Sequence, residues 1–243
     1  MLVKRSGLRD LVRDFGFARL PAARTFEFLG PIDAGAWALF LRSWDDLAPD
    51  LYMADGGRYR RRRHATFDVA GGRVLRKPHQ PHFQSRDYNP LNGDIQRWFE
   101  PVAKDIADGP VVQSIIRQCT QLFASISDHA VGQPWHVEVH QFRIVASTGA
   151  EGRPTPEGRH RDGVDWVFVM LANRINVTAG VTKVSAPDKQ TLGQFTLENV
   201  GDAVVLDDRR VLHGVTPITP VDASLPSYRD ALVVTFVAEE ARA

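Results

Sequence analysis

The apolar positions Val112, Ile115, Ile116, Cys119, Leu122, Phe123 and Ile126 advance in steps of three and one, the roughly 3.6-residue period of an amphipathic helix. Asp108-Gly109-Pro110 supplies a start signal, and Gly132 with Pro134 a stop. Shorter helical patterns run over Leu8–Phe15 and over Ala34–Trp44, the second beginning after Asp33, a residue suited to capping a helix N-terminus.

From Trp135 onward the period changes. Short apolar or alternating runs occupy 135–145, 164–171, 181–185, 194–197, 203–206, 211–216 and 231–237, separated by Gly, Pro, Asn and Asp. Seven such runs at this spacing predict a β-sandwich or jelly roll. The expected protein is therefore mainly β with flanking helices. One domain spans 1–243, with a helical and irregular front over 1–133 packed on a jelly-roll core over 134–243.

Composition narrows the class without changing this picture. Hydrophobic residues make up 43% and charged residues 24% of the chain, as in ordinary globular proteins. Thirty Lys and Arg against 29 Asp and Glu leave a formal net charge of +1. No global field is available to gather nucleic acid or anionic lipid, so any anion site must be local. Cys119 is the only cysteine, which excludes an intrachain disulfide and a sulfur-rich zinc site. Charges interrupt every apolar run of the N-terminal stretch, and no run reaches the length of a membrane span. A cytoplasmic protein with no membrane or nucleic-acid partner is the expectation.

Candidate chemistry begins in GRHRDGVDWVFVM. His160 and Asp162 stand two apart at the head of a predicted strand, where a period of two turns both side chains the same way. His213, in VVLDDRRVLHGVTPI, offers a third ligand from a distant strand. Two His and one carboxylate on one face are the ligand set of non-haem Fe(II) oxygenases, and they leave positions open for a bidentate 2-oxo acid and O2. A rival set, His136, Glu138 and His140, alternates along HVEVH. Residues four apart on a strand are separated by about 13 Å, too far for one ion, so at most two of these could bind together. A polar, solvated strand face is expected there instead.

A 2-oxo acid chelated to iron carries a second carboxylate that a buried Arg would hold with two charge-assisted hydrogen bonds. Arg229 opens the apolar strand YRDALVVTFVA and fits that need. At these residues the sequence resembles the bacterial Fe(II)/2-oxoglutarate dioxygenases that hydroxylate free L-amino acids, of the isoleucine 4-hydroxylase type. The resemblance runs from about Val139 to Phe236 and is carried by PTPEGRHRDGVDWV, by the RIN segment at Arg174 to Asn176, by LDDRRVLHGVTPI and by YRDALVVTF.

That resemblance implies a double-stranded β-helix, cupin-like in form. It also implies His160, Asp162 and His213 as the catalytic iron ligands, and Arg229 as the cosubstrate arginine. The cofactor would be Fe(II), with 2-oxoglutarate and O2 as cosubstrates. The substrate would be a small molecule, a free amino acid such as isoleucine, leucine or methionine. Many such enzymes carry a small hydroxyl residue two positions after the arginine, where this chain has Ala231, so Thr216, Thr235 or Gln141 would have to supply the extra hydrogen bond. The N-terminal third shows no comparable match.

Gln141 and Arg143 share a strand face and could line the pocket, Arg143 toward a substrate carboxylate. Trp166 shares the parity of His160 and Asp162, so it either walls the pocket or packs in the core. The run YRRRRH, Tyr59 to His64, reads as a solvated strand face with ion pairs; nucleic-acid contact and an arginine reaching the active site are the other readings. Two other functions fit the same chain: a jelly-roll metalloenzyme that does not use 2-oxoglutarate, and a jelly-roll binding module without catalysis.

Overall fold

The computed structural model describes residues 7–127 and 132–239; the first six residues of the N-terminal stretch lie outside them. Helices α1 (Leu8–Phe15), α2 (Ala22–Leu29), α3 (Ala34–Arg42), α4 (Lys104–Ala107) and α5 (Pro110–Ile126) fall in the first half. Strands β1 (Phe17–Leu20), β2 (Arg60–Ala70) and β3 (Arg73–Arg76) are interleaved with them. The second half is β4 (Trp135–Ala146), β5 (Trp166–Ile175), β6 (Val177–Ala179), β7 (Val181–Ser185), β8 (Thr191–Thr196), β9 (Ala203–Asp207), β10 (Leu212–Val215), β11 (Ile218–Pro220) and β12 (Ser227–Ala238).

The local signals act as expected at the long helices. Asp33 accepts from the Ala36 amide at 3.0 Å, and Pro110 occupies the first turn of α5 after Gly109. Gly16 ends α1 in the left-handed conformation, φ 76°.

A seven-stranded sheet in the order β1-β9-β5-β12-β4-β2-β3 faces smaller sheets, β10-β7-β8 and β11-β6. Together they make the jelly roll. The expected front of helices and irregular wrapping is corrected here, because β1, β2 and β3 are all members of the large sheet. Their sequences hide this: β1 has only four residues, and β2 opens on four arginines.

Strand parity assigns the two faces of the large sheet. On β12, Leu232, Val234 and Phe236 join Val137 and Val139 of β4 in the main apolar core beneath the helices. The buried stripe of α5 closes that core, with the Phe123 ring stacked on Trp166 at 4.7 Å and edge-on to Phe236 at 5.0 Å. Residues of opposite parity, such as Glu138, His140, Val233 and Thr235, face a cavity of about 500 Å³. In strand register, β12 pairs with β4 and β4 with β2, so one cavity row reads Arg229, Ile144, Arg60 and the next Ala231, Phe142, Arg62.

Candidate functional site

His160 and His213 are brought together by backbone. Each amide donates to the other's carbonyl at 2.9 Å, an isolated antiparallel bridge that leaves the two rings 4.7 Å apart. Gly214 permits the approach, since a Cβ there would lie 2.8 Å from the Gly158 carbonyl oxygen. Asp162 completes the group: its Oδ1 lies 3.4 Å from His160 Nε2 and its Oδ2 3.5 Å from His213 Nε2.

The expected strand geometry at His160 and Asp162 needs correction, because β5 begins only at Trp166. A loop holds Asp162, and the buried Asp208 carboxylate shapes it by accepting the amides of Asp162, Gly163 and Val164 at 3.0, 2.8 and 3.2 Å. Gly163 has φ +81°, and a Cβ there would meet the Tyr88 ring at 2.5 Å, so glycine is required on both counts.

The electrostatics of this trio favour a cation. Burial works against the Asp162 anion, yet the hydrogen bond from His160 and the charges of both histidines outweigh it and hold the carboxyl well below its usual range. Burial also disfavours a charged His160, but Asp162 and then Glu157 raise it to about 9. His213 goes the other way, to about 4, because it is buried and faces His160. The trio thus draws one positive charge to itself, which a proton on His160 supplies when no ion is bound.

A divalent ion would supply that charge in its place. Neighbouring ligand atoms around an ion with bonds of about 2.1 Å lie roughly 3 Å apart, close to the separations here. His213 Nδ1 has no hydrogen-bond partner among the described residues and points to Asp208 Oδ1 at 3.8 Å, as expected of a ligand ring backed by a carboxylate.

Arg229 lines the same cavity and is 3% exposed. Its Nε and Nη2 have no partner among the described residues. Burial and the neighbouring Arg174 lower it to about 10, against a smaller opposite pull from Asp230, so it remains a cation with two N–H groups to offer. Leaving such donors unmatched in a buried site is costly, so the position is suited to an anion.

Other expected site residues fall elsewhere. Gln141 and Arg143 point to the helix side of β4: Gln141 donates to Ser43 Oγ at 2.7 Å, and Arg143 pairs with Asp230 at 2.7 Å under the Tyr228 ring. Trp166 lies in the core against Phe123, because the loop before β5 breaks the parity assumed for it. Thr216 Oγ1 accepts from the Val181 amide at 2.9 Å and is not part of the cavity wall, whereas Thr235 is. Thr182, which the sequence did not single out, also lines the cavity, with its hydroxyl unpartnered among the described residues.

The two polar runs also differ from expectation. Arg60 and Arg62 are buried and line the cavity, while Arg63 pairs with Asp46 on the outer side. HVEVH is likewise no solvated face. Glu138 lies within 3.4 Å of four imidazoles: His64 and His140 from β2 and β4, His82 from a loop, and His136.

His64, His82, Glu138 and His140 are close enough to suggest a second metal group. Hydrogen-bond polarity argues otherwise. Arg62 can only donate, and it meets His140 Nδ1 at 2.8 Å, so a neutral His140 carries its proton on Nε2, toward Glu138. Lys77 fixes His136 the same way. Burial lowers His64, His82 and His140, the last two most strongly, and the four imidazole donors hold Glu138 ionised against its own burial. The cluster is a cage of imidazole donors around one carboxylate.

A family model described as 2OG-Fe dioxygenase matches residues 41–235. An L-isoleucine-4-hydroxylase of Bacillus thuringiensis is 26% identical over 161 residues, covering 66% of this chain and 67% of that protein. A 3(1)-hydroxy-L-isoleucine 4-dioxygenase of Pantoea ananatis is 24% identical over 200 residues, 82% of this chain and 80% of that one. Among solved structures, a bsmA homologue from Methylobium petroleophilum superposes with a TM-score of 0.87 at 37% identity, covering 97% of this chain and 94% of its own.

Proposed function

The chain belongs to the 2OG-Fe dioxygenase family, and from that membership we propose that it hydroxylates an aliphatic C–H bond of a free L-amino acid of the isoleucine, leucine or methionine kind, releasing succinate and CO2. Enzymes of this family use Fe(II) as cofactor with 2-oxoglutarate and O2 as cosubstrates. The observation that carries the reading is the meeting, in one cavity, of the His160, Asp162 and His213 trio with the buried guanidinium of Arg229, whose Nε and Nη2 have no partner among the described residues.

In this reading His160, Asp162 and His213 would hold Fe(II). When bound with 2-oxoglutarate and O2, the iron supplies the oxidising power that no side chain has. Arg229 takes the distal carboxylate of 2-oxoglutarate with Nε and Nη2, and Thr182 or Thr235 adds a hydroxyl. Val169, Val204 and Val233 keep water from the reacting centre and offer an apolar wall to an aliphatic side chain. The names of the curated relatives support a free amino acid as substrate.

A screen of free L-amino acids for accelerated succinate release tests the reading. One or more aliphatic amino acids should couple and gain one oxygen atom. Turnover of an amino acid without 2-oxoglutarate would favour a metalloenzyme of another kind. Absence of iron from protein purified without oxygen would favour a binding module.

A further inference from the structure

Three buried guanidinium groups meet at the end of the cavity formed by β2. Arg60 Nε donates to Asp50 Oδ2 at 2.7 Å, and Arg62 Nη1 lies 3.9 Å from the same oxygen. Arg97, 2% exposed, makes no ion pair among the described residues; its one side-chain hydrogen bond there is to Gln84 at 3.5 Å. Arg62 is clamped between aromatic rings, 3.7 Å from the Phe99 centroid and 4.5 Å from that of Phe142. Each group keeps a buried N–H without a partner among the described residues: Arg60 Nη2, Arg62 Nε and Arg97 Nε.

The charges do not balance. Three cations stand against Asp50 and, through His140, the caged Glu138. The Asp50 carboxylate is already occupied, by Arg60 and by the Tyr52 amide at 2.9 Å. Glu157, on the same cavity wall, pulls on Arg97 from beyond ion-pair distance, so the arginines keep surplus positive charge and three N–H groups without a partner among the described residues, a combination that favours one carboxylate. This is not the Arg229 site. Arg229 and Arg60 share a cross-strand row two strands apart, a backbone separation of roughly 10 Å.

We propose that Arg60, Arg62 and Arg97 form the subsite that binds the carboxylate of the organic substrate and so restrict the enzyme to anionic or zwitterionic substrates. The inference rests on the reading of this cavity as the site where an amino acid is hydroxylated. The aromatic clamp fixes the plane of Arg62, and its link to His140 sets the direction of the free Nε. The substrate is then held by its carboxylate at this end, with its aliphatic part free to extend along the apolar β12 wall of Ala231 and Val233.

Wild-type enzyme gives the first test, with no substitution involved. Each amino acid that couples succinate release is compared with its primary carboxamide, and the anaerobic protein loaded with Fe(II) and 2-oxoglutarate is titrated with both by calorimetry. The carboxamide should bind about 30-fold more weakly or worse, the loss typical of removing one partner of a buried charge pair. Arg97→Gln should weaken binding of the acid by a similar factor, narrow the acid-to-amide difference, and leave the 2-oxoglutarate midpoint unchanged. Arg97→Lys should recover part of the loss. Equal binding of acid and amide to wild type would overturn the proposal, whatever the variants do.

If no free amino acid couples, the proposed function fails, but this inference is still tested by the same comparison on N-acyl amino acids and aliphatic carboxylic acids. A preference for the acid would sustain the subsite. Coupling only to uncharged or cationic compounds would refute it.

Discussion

Arg229→Gln isolates the cosubstrate site from the metal. In the wild type a guanidinium that is 3% exposed lines the cavity with Nε and Nη2 unpartnered among the described residues, and Arg174 is close enough to lower its pKa. Two charge-assisted hydrogen bonds to a carboxylate would be lost, while glutamine keeps one neutral donor. Truncating one partner of a buried charge pair costs about 2–5 kcal/mol, roughly 30-fold in affinity at the lower end. The free protein should respond in the opposite sense. Removing a buried cation that has no ion-pair partner among the described residues relieves repulsion from Arg174, which outweighs the pull of Asp230, so the melting temperature without 2-oxoglutarate should not fall, and the increase that 2-oxoglutarate gives the wild type should largely vanish. Titrating 2-oxoglutarate into the anaerobic Fe(II) protein and following the metal-to-ligand charge-transfer band reads the affinity directly, with iron content measured in parallel. An unchanged midpoint would refute the assignment and move the distal carboxylate to another arginine of the cavity, Arg60, Arg62 or Arg97.

Four further outcomes follow from the geometry. Asp162→Ala should abolish iron retention and turnover while leaving the melting temperature of metal-free protein nearly unchanged; wild-type iron content measured by plasma emission would exclude the ligand set. Gly163→Ala, which strains a residue at φ +81° and drives a methyl group into Tyr88, should displace the Asp162 loop and weaken iron binding, as an Fe(II) titration would reveal. Phe123→Ala should cost about 3–5 kcal/mol in urea unfolding, because it opens a cavity between Trp166 and Phe236 in the closed core. Burial lowers His82 from 6.5 to about 4, against the pull of Glu138, so the unfolded chain binds a proton between those values that the folded chain refuses. Its contribution to stability is complete above pH 6.5 and lost as the pH falls through 4; His82→Gln should flatten that part of the acid limb in metal-free protein, and an unaltered profile would contradict the assignment.

The sequence exposed those features that depend on local pattern. The α5 stripe, the Asp33 cap and the long strands β4, β5 and β12 all have periods or capping residues that their own side chains dictate. The histidine and aspartate trio was legible because its residues sit in segments with a resemblance to known enzymes, although the geometry that unites them, a backbone bridge and a loop held by Asp208, is not a strand period. Arg60 and Arg62 were misread because charge on an alternating strand ordinarily faces water. What buries them is the pairing of β2 with β4, together with Phe99, Phe142 and Asp50, partners remote in sequence. HVEVH was misread for the same reason, since His82 and His64 come from other segments to cage Glu138. Gln141 and Arg143 show how far parity reaches: it predicts which residues of one strand share a face, but the side of the sheet on which that face lies is set by the helices, while for Trp166 parity already breaks at the loop that holds Asp162.

The central claim is that one cavity couples decarboxylation of 2-oxoglutarate to oxygenation of a free amino acid. Turnover under isotopically labelled dioxygen, with mass spectrometry of both products, tests it most directly. The account predicts one labelled oxygen atom in succinate and one in the hydroxylated amino acid, in equal amounts, both abolished by Asp162→Ala. Labelled succinate without a labelled amino acid, across the whole panel of aliphatic L-amino acids, would contradict it.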